Sequence, residues 1–410
     1  MAGEPAYVII GASLAGAKAA ETLRAEGFGG SVILLSDEME RPYERPPLSK
    51  GYLLGKEEKS SIYVHEEGWY AEHDVDLRLG VWATAIDPAA RRVTLADGGT
   101  VGYGKLLLTT GSSPRRLRTP GSDLSGVLYL RRVADSERLA TALQGGGRVV
   151  IVGAGWIGLE VAAAAREAGC EVTVVEPEPV ALHRSIGPEL GGIFTGLHID
   201  HGVEFRFGES VTELRASAGG TEVDEVVTST GVALPADLVV VGIGAVPNTE
   251  LASDAGLEVR NGVVVDAALR SSDPNTYAAG DVANAYHPLF GRHVRVEHWA
   301  NALNEGPAAA RSMLGQEVSY DQVPYFYTDQ YDLGMETAGL PEPGSYDQII
   351  YRGDKDNREF IAFWLSGGLV VAGMNVNVWD VNDDIQALIR SKRAVDTARL
   401  SDPTVPLPNL

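Results

Sequence analysis

Tyr7–Ile10 is a short apolar run of β-forming residues, Ala17–Arg24 is helix-forming, and Val32–Leu35 is apolar again. The same order returns at Arg148–Val152, Leu159–Ala168 and Glu171–Val175. Each set predicts a strand, a helix and a second strand. Further apolar runs, Lys105–Thr109 and Asp237–Gly242, predict strands that close each unit. Near the C-terminus, Glu359–Trp364 and Gly368–Ala372 are rich in β-formers and predict a small α+β domain. The stretch Ser401–Leu410 is polar, contains three prolines, and is expected to be extended or disordered. No tandem repeat is visible beyond the two strand–helix–strand units.

Between each first strand and its helix lies a glycine-rich turn: Gly11-Ala-Ser-Leu-Ala-Gly16 and Gly153-Ala-Gly-Trp-Ile-Gly158. At a helix N-terminus the free backbone N–H groups and the positive end of the helix dipole favour a pyrophosphate. Gly11, Ser13, Ala15 and Gly16 are therefore candidate binding residues in the first copy, and Gly153, Gly155, Ile157 and Gly158 in the second. Ser13 stands where the fingerprint has its second glycine, a mild departure, because serine is also small.

An acid ends each second strand. Glu176 follows its turn at close to the spacing of about 20 residues expected for a carboxylate on a ribose diol, and it would repel a 2′-phosphate, favouring NADH over NADPH. In the first copy Asp37 is the expected ribose ligand and Ser36 the alternative. A lone glycine-rich turn also serves as a plain connection, whereas two copies in full context point to two bound dinucleotides passing electrons between them.

Composition narrows the chemistry. With 410 residues, 44% hydrophobic and 22% charged, the chain is expected to fold as two or three globular domains. A net charge of −22 argues against general nucleic-acid binding. No apolar run approaches the roughly 18 residues of a membrane span, and the start lacks a leader pattern, so a cytoplasmic protein is expected. Cys170 is the only cysteine and reads as a packing residue, so no CxxC or other redox pair exists. Electrons must then leave for an external acceptor. The eight histidines are scattered, and no metal site is expected.

Together, Gly11–Gly16, Arg45-Pro-Pro-Leu-Ser-Lys50, Thr110-Gly111, Tyr129-Leu-Arg131, Gly153–Glu160, Gly242–Asn248, Ala278-Ala-Gly-Asp281 and Glu297-His-Trp299 resemble the FAD-dependent NADH:ferredoxin reductases serving cytochrome P450s and Rieske oxygenases. The resemblance covers essentially the whole chain and extends to oxidoreductases like apoptosis-inducing factor. It implies an α/β fold with two Rossmann-like dinucleotide-binding domains, glutathione-reductase-like but without the redox disulfide, plus a small C-terminal α+β domain. The expected boundaries are 1–116 with 243–320 for FAD, 117–242 for NAD, and 321–410 for the C-terminal reductase domain.

The resemblance also implies roles. Arg45, Lys50, Ala83, Thr110, Gly111, Arg131, Asp281, Glu297, His298 and Trp299 match positions around FAD, with Ala83 acting through its backbone. Lys50 would place a cation near flavin N5 and O4; the alternative is a solvated lysine on a turn. Glu160, expected in the first helical turn near the nicotinamide, pairs with that lysine in the family; the alternative is a carboxylate favoured only by the helix dipole. Lys50 and Glu160 are the two catalytic candidates. Asp281 would bond the ribityl chain, and the helix Ala300–Leu314 would face flavin N1 and O2. Trp299 is otherwise a core aromatic, and Arg131 a surface charge. Arg184 is a candidate for the NAD phosphates or a solvated charge, and Gly244 falls in a matching segment. Tyr327 replaces a tryptophan of the family's Pro-Trp-Phe-Trp-Ser-Asp-Gln, here Pro324-Tyr-Phe-Tyr-Thr-Asp-Gln330.

The implied partner is an iron–sulfur ferredoxin, with no nucleic acid or membrane, for a monomer or weak homodimer. Arg115, Arg116, Arg118, Arg292, His293 and Arg295 are candidates for a local basic docking face, or else scattered solvated charges. The alternative function is an NADH-sensing or NADH-oxidase-type flavoprotein with a partner-binding role, to which the segment Gly373–Asp380 looks closer.

Overall fold

The computed structural model describes residues 5–410, which form two compact units. The first comprises the chain through Arg45, Lys59–Ser113 and Ala245–Pro324; the second comprises Pro46–Glu58, Pro114–Gly244 and Tyr325–Leu410.

At the centre of the first unit lie five strands in the order Thr276–Ala278, Lys105–Leu108, Tyr7–Ile10, Val32–Leu35 and Val75–Arg78. Every neighbouring pair is parallel. Parallel strands are covered on both faces, which accounts for the unbroken apolar runs: Val8, Ile9, Leu34, Leu106 and Leu107 are fully buried. The helix Leu14–Ala25 follows the first turn, and Trp299–Met313 packs across it. Their contact depends on Gly306, where an added Cβ would lie 2.3 Å from the Ala15 carbonyl oxygen. A bare backbone there lets a helix nearly 300 residues downstream reach the first turn.

The second unit repeats the parallel architecture with strands Val203–Phe207, Glu171–Glu176, Arg148–Val152, Leu238–Val241 and Val127–Leu128, in that order. Its C-terminal part is an antiparallel sheet ordered Tyr325–Gln330, Leu333–Gly339, Leu369–Val376, Glu359–Ser366 and Gln348–Asp354. One core runs through both parts, joining Leu159, Leu190 and Phe194 to Met335, Phe360 and Trp364. Trp156 sits at the seam, its ring 5.4 Å from Phe194 and 4.9 Å from Phe326. The segment Pro46–Glu58 packs here too: Leu53 enters this core, and the Ser136 hydroxyl donates to the Leu48 carbonyl at 2.8 Å.

The C-terminal tail departs from the expectation of an extended or disordered segment. Arg352 is buried, and its guanidinium donates to the carbonyls of Asp402 (2.8 Å), Val405 (2.5 Å) and Pro403 (3.3 Å). Leu400 and Leu407 are buried beside it. With the Leu400 carbonyl at 3.5 Å, this cation gathers four backbone acceptors and holds a proline-containing segment outside any sheet. Among the described residues, no helix is long and apolar enough to cross a membrane.

Candidate functional site

Both glycine-rich turns adopt the conformation their sequences require. Gly11 has φ +111° and Gly153 φ +101°; a Cβ would stand 2.1 Å from the Thr109 oxygen at the first and 2.5 Å from the Gly242 oxygen at the second. Gly16 and Gly158 are equally confined, each with a Cβ position 2.2 Å from the carbonyl of the turn's first glycine. The middle position differs. A Cβ on Gly155 would meet nothing nearer than the Gly242 oxygen at 4.0 Å, so the protein itself does not demand glycine there. This open space leaves room for a phosphate group, and a small side chain such as that of Ser13 fits the equivalent place in the first copy.

Ser13 and Gly155 immediately precede the two helices, and neither caps its helix through a side chain. Helix N-termini without a side-chain cap retain donors for an anion, so both turns fit a dinucleotide pyrophosphate. Ala15 is buried against Gly280 and Gly306, while Ile157 is 44% exposed on the second helix.

The strand-end acids are not in equivalent places. The Gly11 N–H donates to the Leu35 carbonyl and the Gly153 N–H to the Val175 carbonyl, each at 2.9 Å. This register aligns Glu176 with Ser36 rather than Asp37. Glu176 reaches back to its turn, accepting the Ala154 N–H at 2.7 Å and the Glu178 N–H at 3.0 Å. Ser36 is buried and accepts the Glu38 N–H at 3.2 Å, whereas Asp37 is exposed one residue farther along. Spacing alone does not resolve a shift of one residue at a strand end. Arg184, a candidate for the NAD phosphates, instead pairs with Glu178 at 2.5 Å, its side chain 81% exposed.

Within the first unit, Thr110 and Gly280, which precedes Asp281, lie against the turn. Thr110 and Asn248 bond reciprocally, the Thr110 hydroxyl donating to the Asn248 carbonyl at 2.8 Å and the Asn248 amide to the Thr110 carbonyl at 2.7 Å. Gly111 takes φ +67° between them and Ser112, whose hydroxyl donates to Asp281 at 2.8 Å. Arg45 pairs with Glu38 at 3.2 Å, and the Glu38 carboxylate also accepts the Tyr43 hydroxyl at 2.7 Å. Trp299, first residue of its helix after the extended His298, donates its indole N–H to Glu44 at 3.2 Å. Burial raises the Glu44 carboxyl above its ordinary range. Glu297 pairs with Arg295, which also donates to the Asp281 carbonyl at 3.2 Å, so this arginine serves the local fold rather than a docking face. Ala83 opens the strand Ala83–Asp87 and is buried.

In the second unit, Glu160 lies in the helix Trp156–Glu167, in the second turn rather than the first, and is 3% exposed. The dipole of a helix start therefore does not account for it. Its Oε1 meets the Lys50 ammonium at 2.6 Å and accepts the Thr328 hydroxyl at 2.6 Å, while Oε2 accepts the Ser49 hydroxyl. The extra hydrogen bonds to the buried carboxylate offset part of what its desolvation costs. Lys50 lies 5.7 Å from the centre of the Tyr327 ring. Arg131 donates its backbone N–H to Asp135 at 3.2 Å, Gly244 has φ +96°, and Arg116 stacks over Tyr129 at 4.2 Å.

Residues 5–306 match the sequence profile of the pyridine nucleotide-disulphide oxidoreductases, and residues 325–410 match that of the reductase C-terminal domain. The chain belongs to the pyridine nucleotide-disulphide oxidoreductase family. Like other members, this oxidoreductase uses FAD and NADH. It is 41% identical to the anthranilate 1,2-dioxygenase system ferredoxin–NAD(+) reductase component of Burkholderia cepacia, over 99% of each chain. It is 37% identical to putidaredoxin reductase of Pseudomonas putida, over 98% of this chain and 95% of that one. The fold superposes on the structure of the covalent putidaredoxin reductase–putidaredoxin complex with a TM-score of 0.95 at 36% identity, covering 99% of this chain and 98% of that one. The family name refers to a disulphide, but this member's single cysteine, Cys170, is buried.

Several polar residues at these sites were not singled out from the sequence. Ser49 and Thr328 complete the Glu160 carboxylate, with Gln330 and His198 behind them. Glu305 is buried at 3% exposure and accepts the Gly280 N–H at 2.7 Å, beside Asp281; burial pushes its carboxyl up to about 8. Its signal is legible in retrospect: Asn301, Glu305 and Ala309 recur every fourth residue along the buried stripe of a helix otherwise lined by small residues.

Proposed function

We propose that this chain is an NADH-dependent, FAD-containing ferredoxin reductase that takes hydride from NADH and passes single electrons to an iron–sulfur ferredoxin serving a cytochrome P450 or Rieske oxygenase. The observation that carries this is the Lys50–Glu160 pair, its carboxylate buried in the helix that follows a glycine-rich turn, in a chain without a redox disulfide. Bound FAD would supply the redox chemistry, coupling a two-electron hydride donor to a one-electron acceptor.

On this reading residues 1–116 and 243–320 are the FAD-binding domain, 117–242 the NAD-binding domain and 321–410 the C-terminal reductase domain, with the segment Pro46–Glu58 of the first packing in the second compact unit. Gly11–Gly16 would hold the FAD pyrophosphate, with Arg45, Ala83, Thr110, Gly111, Asp281 and Glu297–Trp299 of the same unit completing its site. Gly153–Gly158 hold the NADH pyrophosphate, and Glu176 accepts from the adenosine ribose and repels a 2′-phosphate. Lys50 supplies a positive charge that favours the electron-rich reduced cofactor. Glu160 holds that charge and would orient the nicotinamide. The protein acts in the cytoplasm.

The test is a visible spectrum during anaerobic NADH titration, followed by addition of candidate ferredoxins. Bleaching of a yellow protein and rapid ferredoxin reduction support the proposal, and a colourless protein that cannot be loaded with FAD refutes it. Tyr327 in place of the family tryptophan bears on the second reading. Slow turnover with a long-lived reduced complex would favour an NADH-sensing role.

A further inference from the structure

Glu160 ends a one-way chain of hydrogen-bond donors within the second unit. Four contacts compose it. Tyr331 Oη lies 3.3 Å from His198 Nδ1, and His198 Nε2 lies 2.8 Å from Gln330 Oε1. The Gln330 amide then donates to Thr328 Oγ1 at 3.1 Å, and the Thr328 hydroxyl to Glu160 Oε1 at 2.6 Å.

One arrangement of hydrogens satisfies all four. An ionised carboxylate only accepts, so the single Thr328 proton points to Glu160. Thr328 must then accept from the Gln330 NH₂, which turns the Gln330 oxygen toward His198. The ring therefore carries its proton on Nε2 and accepts the Tyr331 proton on Nδ1. Burial keeps this ring neutral, its pKa lowered to about 4. Glu160, Thr328, Gln330 and His198 are all buried, and in so dry a setting aligned bonds polarise one another.

We propose that Thr328, Gln330 and His198 are positioning residues for the NADH reaction. They fix Glu160 Oε1 as the shared acceptor of Thr328 and Lys50, and thereby hold the ion pair in the orientation that receives the nicotinamide carboxamide. The inference rests on the second turn being the NADH site. Without Thr328 the carboxylate keeps Lys50 and Ser49 but can rotate, so the effect falls on the nicotinamide end of the ligand and spares the adenosine end.

The test compares NAD⁺ with ADP-ribose, which lacks the nicotinamide, by calorimetry on the FAD-loaded protein. Thr328→Val removes the donor at nearly constant shape. NAD⁺ affinity should fall about tenfold, as expected for one hydrogen bond to a charged group, with ADP-ribose affinity unchanged. The KM for NADH, with hexacyanoferrate(III) as acceptor, should rise by a similar factor while kcat changes less. Thr328→Ser should restore both values, and Gln330→Leu should act in the same direction more weakly. Wild-type affinity for NAD⁺ in Thr328→Val, equal losses for both ligands, or no rescue by serine would each overturn the inference alone. A wild type that binds no NAD⁺ would overturn the proposed function and the inference together.

Discussion

Replacing Glu305 by glutamine should stabilise the protein, and by an amount that depends on pH. The carboxyl is buried beside Asp281, and its pKa of about 8 compares with 4.5 for the free side chain. Between pH 4.5 and 8 the folded chain thus holds a proton that the unfolded chain has lost, and stability falls as pH rises through this window. At 1.36 kcal/mol per unit, the full difference from 4.5 to about 8 amounts to about 5 kcal/mol. Glutamine has nearly the same shape, still accepts the Gly280 N–H, and carries no ionisable proton. In thermal unfolding scans of FAD-saturated protein, the two should melt together near pH 4, diverge as pH rises, and keep a constant gap above about pH 8. A gap of several degrees at pH 8 is expected. Parallel Tm–pH profiles from pH 4 to 9 would refute the reasoning, because they would mean that Glu305 ionises alike in the folded and unfolded chains.

Gly153→Ala and Gly155→Ala should separate fold from ligand: the first forces a Cβ to 2.5 Å from the Gly242 oxygen and should sharply lower the melting temperature, whereas the second meets nothing closer than 4.0 Å and should fold normally but bind NAD⁺ more weakly in calorimetry. His198, lowered from 6.5 to about 4, resists protonation in the fold, so acidification through that window should cost the wild type up to about 3 kcal/mol. His198→Gln should show a flatter loss of Tm between pH 6.5 and 4. Arg352→Met removes the donors that bind the carbonyls of Asp402, Pro403 and Val405. Limited trypsin digestion should then cut at Arg399 faster than in the wild type, where the residue lies in the short helix Thr397–Ser401.

The parallel sheets were legible because strands covered on both faces need unbroken apolar runs, as Tyr7–Ile10 and Arg148–Val152 have. The turns were legible because Gly11 and Gly153 adopt backbone angles and close approaches that few other residues allow. Asp37 illustrates the limit. Which strand-end residue returns to the turn depends on pairing register, fixed here by the Gly11–Leu35 bond, and composition is blind to it. The tail was misread for a related reason: its prolines and polar residues describe the segment itself, whereas order comes from Arg352, some fifty residues upstream. Likewise Thr328 and His198 lie 168 and 132 residues from the partners they bond, so no local pattern could join them.

Cys170 has a practical consequence. The chain's only thiol is wholly enclosed, with Sγ 3.7 Å from the Leu143 carbonyl oxygen. A maleimide reagent should leave the folded protein unmodified, and oxidising buffers should not link copies through it. Any cysteine introduced at an exposed position, such as Ile199 or Trp379, then becomes a unique attachment point in an otherwise native background. Fluorescent or spin labels placed one at a time can measure where an acceptor protein docks, without first engineering a cysteine-free parent.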